Sequence, residues 1–317
     1  MLVDATPPTY SVLLIRTDGK IAAQVQATMP RVYGFTHFPP SPPLVSLSGS
    51  RVYYADGSSI KYLMPDGSTG DAMAYPGGAQ SVAGFAVSPD DKRIAVGLMT
   101  FNNTGAYQGL DLFVTDVGGA NRVELFTSTT VSEWPVGWTN GRLVLALGPP
   151  VNGNLSNNPY NGFEGYHVAD AANGNRLVAM SNECILGPLQ QNGTACSSGG
   201  WVTAQAFDGT VRVFQPGAGV QDVLLLSPDG TRIAGRPGAL GSPIVMYNDV
   251  GTVTTMSQSG VPMGWIDDQH LVFFGPNGFE RKILDVASGS VIPMQPCACG
   301  NSGVFFGALA PANRAAP

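Results

Sequence analysis

Charge is scarce in this chain. Only 12% of its 317 residues are Asp, Glu, Lys or Arg, about half the usual share. The 16 Lys and Arg residues are scattered without a basic run. A phosphate-binding surface needs clustered cations, so nucleic acid is not an expected partner. No stretch approaches the roughly 18 uninterrupted apolar residues of a spanning helix, so no transmembrane segment is expected. The opening MLVDATPPTY lacks the basic segment and apolar run of a signal peptide. GxSxG, HExxH, Walker, EF-hand and dinucleotide fingerprints are all missing. Histidine is limited to His37, His167 and His270. His167 falls in a third-strand pattern and His270 in a second-strand pattern, at different depths of a sheet, so they read as isolated polar residues. No metal site and no cofactor are expected.

Turn formers and apolar residues are plentiful: 41 Gly, 25 Pro and 44% hydrophobic residues. The chain also repeats itself. SPDDKRIAVG (88–97) returns as SPDGTRIAGR (227–236), and EWPVGWTNGRLVLALG (133–148) as GVPMGWIDDQHLVFFG (260–275). Each unit has an apolar stretch, a turn, a strongly apolar second strand, a loop, a third strand ending in a D/G turn, and a fourth strand. Four short strands with no helical period between them make an antiparallel meander. Meanders repeated every ~40–50 residues indicate β-propeller blades.

Six units fall at about 44–78, 82–128, 133–182, 184–218, 221–260 and 262–296. The fourth is the weakest, because its second strand is hard to find near NGTACSSGG. Residues 10–28 look like third and fourth strands lacking partners, and GVFFGAL near 303–309 like a lone first strand. Joined in one composite blade, they would remove the open edges that invite aggregation. The expected fold class is therefore all-β, a β-propeller of seven four-stranded blades with a composite closing blade, six being the alternative. Residues 10–310 would form this single domain, between a disordered segment 1–9 and an Ala/Pro-rich tail 311–317.

SPDDKRIAV and LSPDGTRIAG resemble the blade motif of TolB-like and WD40-like bacterial β-propellers. The resemblance implies that the Ser-Pro-Asp turn joins first and second strands, with Pro89 and Pro228 at the first central turn position. That family includes periplasmic scaffolds, extracytoplasmic sensor domains and the propeller halves of peptidases. The missing GxSxG removes the hydrolase domain that accompanies the last group. Cys184 and Cys196 bracket the first hairpin of the fourth unit and are expected to form a disulfide. Together with the resemblance, they place the chain outside the cytoplasm, secreted, periplasmic or extracellular, as a domain of a larger protein. Cys297 and Cys299 form a CAC that could close on itself or stay reduced. The two cysteine pairs lie in non-adjacent units, which argues against a shared zinc site.

Carboxylates that could serve a glycosidase are Glu133, Glu164, Glu183 and Asp111, but none sits in a recognisable motif. Trp138 and Trp265, ending first strands in PVGW and PMGW, are expected to pack between neighbouring blades. Function should sit on loops held by the scaffold. Segments 29–43, 99–110 and 148–165 should emerge on one face. They bring Tyr33, Phe35, His37, Phe101, Tyr107, Tyr160 and Phe163 together with amides such as Asn103 and Asn157, with few charges. Aromatic rings and amides suit a neutral polar ligand, a glycan or peptide, or a protein partner. The other reading is that the rings are structural plugs under solvated loops. The expected function is a monomeric, non-catalytic ligand-binding, interaction or sensor domain. The alternative is a propeller hydrolase acting on glycans or lactones at the channel mouth, distinguished by two facing acids in a pocket.

Overall fold

The computed structural model describes residues 2–6, 9–30, 44–104, 106–148, 165–181, 190, 192–215, 223–238, 241–277, 280–296 and 304–305. Among these the chain is all-β. The first sheet-forming strands are β1 (Leu2–Thr6), β2 (Thr9–Ile15) and β3 (Ile21–Thr28). Three four-strand meanders follow: β4 (Val45–Leu47), β5 (Val52–Asp56), β6 (Ser59–Leu63) and β7 (Thr69–Ala74); β8 (Ser81–Val87), β9 (Arg93–Phe101), β10 (Tyr107–Asp116) and β11 (Val123–Ser128); β12 (Ser132–Thr139), β13 (Arg142–Gly148), β14 (Gly165–Asp170) and β15 (Arg176–Ser181). Next comes a sheet with three described strands, β16 (Thr194–Ser198), β17 (Trp201–Gln205) and β18 (Val211–Gln215). Two more four-strand meanders complete the series: β19 (Val223–Leu226), β20 (Arg232–Arg236), β21 (Pro243–Asn248) and β22 (Val253–Ser259); β23 (Val261–Trp265), β24 (His270–Phe274), β25 (Arg281–Asp285) and β26 (Val291–Pro293). The last strand, β27 (Val304–Phe305), lies in the order β27-β1-β2-β3. Consecutive antiparallel meanders of this kind are propeller blades, and the architecture is that of a β-propeller.

Two expectations change here. Residues 2–6, placed in a disordered end, form β1, because β27 offers a partner on one side (Leu2 opposite Phe305) and β2 on the other. The segment near NGTACSSGG, where the second strand is hard to find from sequence, carries β16, paired antiparallel to β17 from Thr194 opposite Gln205 to Ser198 opposite Trp201. Its small polar residues carry little β signal, and the pairing with WVTAQ supplies what local preference lacks.

The chain divides into two compact units. One comprises Met1–Ala5, Leu13–Ala22 and Glu183–Ala308, and the other Thr6–Val12, Ala23–Asn182 and Leu309–Pro317. In the second unit, Tyr53 and Ile60 of the β4–β7 sheet pack on Phe85, Ile94, Val96 and Phe113 of the β8–β11 sheet. The opposite face of that sheet, with Ala95, Leu112 and Val114, packs on Leu143, Leu145 and Ala169. In the first unit, Leu224, Leu226 and Ile233 pack on Val202, Ala204 and Phe214, while Leu225 and Ala234 pack on Trp265, Leu271 and Phe273. A central strand covered on both faces reads as a continuous apolar run, which is why RLVLALG and HLVFF show no alternation. The fourth strands β11 and β22 are largely exposed and rich in Thr and Ser.

The repeated decapeptide is a hairpin corner. Ser88 O accepts from Asp91 N at 3.0 Å, and Ser227 O from Gly230 N at 2.8 Å, with Pro89 and Pro228 at the first central position, where a fixed φ helps. Both serine hydroxyls are buried; each donates to the Asp two residues on and accepts the backbone N–H of Arg93 (2.9 Å) or Arg232 (3.0 Å). The left-handed position is Asp91 (φ 60°) in one copy and Gly230 (φ 71°) in the other. The Asp91 carboxylate accepts from Ser50 Oγ (2.6 Å) and Tyr53 OH (3.1 Å) of the preceding blade.

The two tryptophans also repeat. Trp138 Nε1 donates to Ala86 O at 2.9 Å and Trp265 Nε1 to Leu225 O at 3.0 Å. Each indole reaches from its own first strand to the first strand of the blade before it, as the paired PxGW sequences lead one to expect.

Candidate functional site

The hairpin between β9 and β10 is longer in strand and shorter in loop than 99–110 suggests. β9 runs to Phe101 and β10 starts at Tyr107, so the connection is 102–106. Asn102 organises it: its Oδ1 accepts from Thr104 N (2.9 Å), Ala106 N (2.9 Å) and Thr104 Oγ1 (2.7 Å). An Asx side chain that supplies its own turn lets both strands extend.

Of the residues expected at a loop site, Phe101 is 5% exposed and meets the half-buried Tyr107 edge-to-face, with ring centroids 6.0 Å apart. The Tyr107 hydroxyl donates to Val131 O at 2.5 Å, tying the hairpin to the connection between β11 and β12. Burial, with the charge of Glu133 adding to it, pushes the Tyr107 phenol up to about 12. Asn103 is exposed and hydrogen-bonded to Gln80. The structure therefore joins Phe101 and Tyr107 in one contact and leaves Asn103 at the tip. Tyr33, Phe35, His37, Asn157, Tyr160 and Phe163 lie outside the described residues, as do Glu164, Glu183 and Cys184. Cys196 is buried on β16 and disulfide-bonded.

Beside this hairpin, on the β8–β11 sheet, is a pocket of about 490 Å³. Leu98, Thr100, Asp111, Thr127 and Ser128 contribute from the strands, and Thr129 and Thr130 from the turn after β11. Asp111 stands in the middle strand, opposite Leu98 on one side and Thr127 on the other. The Ser128 hydroxyl accepts from Thr130 N (3.1 Å) and Val131 N (2.9 Å) and so fixes the turn that forms the rim. The site thus has a built polar wall with one carboxylate and several hydroxyls. Sequence patterns pointed to the aromatics of this region and named Asp111 as a candidate acid, but passed over the hydroxyls beside it. The run STT at 128–130 was their available signal.

A second polar cluster lies between the β8–β11 and β12–β15 sheets. Glu133 is 1% exposed. His167 Nδ1 lies 2.5 Å from its Oε1, and the Arg176 guanidinium bonds its Oε2. Arg176 also stacks over Phe126, 4.4 Å from the ring centroid, and donates to Gly174 O at 2.5 Å. Burial raises the Glu133 carboxyl, but the hydrogen bonds from His167 and Arg176 outweigh it and leave the group below its ordinary value. An ionised Glu133 can only accept, so the His167 Nδ1 carries a proton. Gly97 allows the strand bearing Glu133 to approach, since a Cβ there would stand 3.0 Å from Glu133 O and 3.0 Å from Pro135 Cδ. His167 is therefore not an isolated polar residue. The partnership spans two strands with a distant third, and single-strand patterns do not carry it.

Among the described residues no group of three or more His, Cys, Asp or Glu side chains could hold a metal ion, and no helix is long and apolar enough to cross a membrane. No family model matches the chain, and no curated protein sequence matches it. Solved structures do resemble it. An oligogalacturonate lyase in complex with manganese aligns at a TM-score of 0.49 with 10% identity, over 92% of this chain and 91% of that one. Apo AztD from Citrobacter koseri aligns at 0.48 with 14% identity, over 95% and 82%. Hsv2p of Kluyveromyces lactis aligns at 0.48 with 12% identity, over 78% and 75%. Likenesses at these identities and scores assign neither a family nor a function.

Proposed function

We propose that this chain is a ligand-binding β-propeller domain of the TolB-like or WD40-like kind. In this reading it has seven blades, works outside the cytoplasm as a monomeric part of a larger protein, and carries a Cys184–Cys196 disulfide. It binds a small polar ligand at the β9–β10 hairpin end of the β8–β11 sheet, with segments 29–43 and 148–165 contributing. The observation that carries this reading is the pocket of about 490 Å³ lined by Asp111 and five Ser or Thr residues, a size and polarity suited to a small molecule. The carboxylate pattern favours binding over hydrolysis. Among the described residues Asp111 is the single acid lining the pocket, and Glu133 is buried and held by His167 and Arg176, whereas glycoside hydrolysis requires two acids facing one bond.

The test is a glycan and peptide array probed with the wild-type domain and with Thr127→Trp, which places an indole in the pocket from an exposed outer-strand position. Binding by the wild type that disappears in the variant, at an unchanged melting temperature, is the expected result. Binding that survives the substitution moves the site elsewhere. Turnover of an aryl-glycoside or lactone would replace the binding reading by the hydrolase.

A further inference from the structure

Asp111 is anomalous among the acidic side chains. Every other half-buried carboxylate among the described residues has a donor. Asp56 has Lys61 Nζ at 2.8 Å, Asp91 has Ser50 and Tyr53, Asp116 has Asn121 and Asp170 has Ala172 N. Asp229, Asp267, Asp268 and Asp285 are matched in the same way. Asp111 is half-buried by the strands on either side and has no hydrogen-bond or ion-pair partner among the described residues. Among the described residues that line the pocket there is no Lys, Arg or His. The hydroxyls of Thr127 and Thr129 are likewise uncommitted. Thr127 and Thr129 are exposed and Asp111 is half-buried, so all three can turn to a ligand without giving up a bond within the protein.

The geometry points to a ligand that carries an ammonium group beside hydroxyls, of the amino-sugar class; this rests on the binding reading of the same pocket. A carboxylate without a cation leaves the cavity negative, and a positively charged donor is the complement that gains most there. Ammonium fits better than the alternatives. Its three donors point to separated acceptors, and here one carboxylate is surrounded by hydroxyls on neighbouring strands. A guanidinium prefers a planar two-point carboxylate contact, and a divalent cation prefers several oxygen anions. The threonines then pair with ligand hydroxyls, and Leu98 offers an apolar surface to a sugar's C–H face. Loop composition alone suggested a neutral ligand; the unmatched Asp111 adds a charge requirement.

Calorimetric titration at millimolar concentrations with glucosamine, glucose and ethanolamine tests this on the wild type, Asp111→Asn and Thr127→Trp. Glucosamine should bind the wild type and lose about tenfold or more in affinity in Asp111→Asn, the loss expected for a charged hydrogen bond. Its binding should weaken as salt rises from about 50 to about 500 mM, because the attraction is screened. Glucose and ethanolamine should both bind more weakly. Asp111→Asn should keep the wild-type melting temperature, since the carboxylate holds nothing in the free protein. Equal binding of glucose and glucosamine, or no effect of Asp111→Asn, overturns the ammonium inference. If that binding is also lost in Thr127→Trp, the pocket itself stands. Ethanolamine binding as well as glucosamine overturns the sugar part. A wild type that binds none of the three overturns the inference, and the array decides the pocket separately.

Discussion

Glu133 shows what a single buried charge requires. Withdrawn from water, a carboxylate is strongly unfavourable unless hydrogen-bond donors and an opposite charge surround it, and here the His167 N–H and the Arg176 guanidinium occupy its two oxygens. Removing the charge leaves the Arg176 guanidinium without its carboxylate and the His167 N–H with a weaker acceptor. Glu133→Gln should therefore cost about 3 kcal/mol in urea unfolding and lower the melting temperature by roughly 5 °C or more. The pH dependence follows from the same contacts. A carboxyl whose folded value is lowered contributes stability that is present above its unfolded value and lost as pH falls through its folded one. Stability should be steady on this account above its ordinary 4.5 and decline below it, and Glu133→Gln should flatten that acid limb. An unchanged acid limb in the variant would show that other carboxylates govern it.

At the scale of elements, the blades are held to one another by repeated backbone-directed bonds. The indole of each PxGW unit satisfies a carbonyl in the preceding first strand, Ala86 O for Trp138 and Leu225 O for Trp265. Phenylalanine would keep most of the ring and remove the donor, leaving a buried carbonyl short of one partner. Trp265→Phe should cost about 1–3 kcal/mol. Trp138→Phe should cost less, because Trp138 is half-exposed whereas Trp265 is 0% exposed. Urea titrations of the two variants check the order, and equal losses would show that ring volume, not the N–H bond, is what matters. Within each hairpin, the corner serines Ser88 and Ser227 tie the turn to the following strand, bonding the Asp two residues on and the N–H of Arg93 or Arg232.

For the whole molecule, the decisive element is the shortest one. β27 is two residues long, yet it gives β1 a partner and joins the C-terminal part of the chain to its beginning. An unpaired strand edge is a template for association. A chain ending at Gly300 should therefore melt lower and aggregate at concentrations where the full chain does not, as light scattering would report. Identical behaviour of the two chains would mean that β1 needs no second partner.

The strand periods, the Pro-Asp corner turns and the PxGW repeats are local, and each residue's own preference or its immediate neighbours determine them. The succession of meanders, the corner geometry at Ser88 and Ser227 and the reach of both tryptophans to the blade before their own were accordingly legible in the sequence. β16 was not, because pairing with β17 rather than its own residues makes it a strand. The same holds for the site. Sequence could name Phe101, Tyr107, Glu133 and Asp111 as chemically notable residues. Only tertiary structure decided that Phe101 and Tyr107 pack together, that Glu133 is held by His167 and Arg176, and that Asp111 is left without a partner. Those outcomes depend on strand register and on which face of one sheet meets the next, and such long-range placements are fixed by packing across blades.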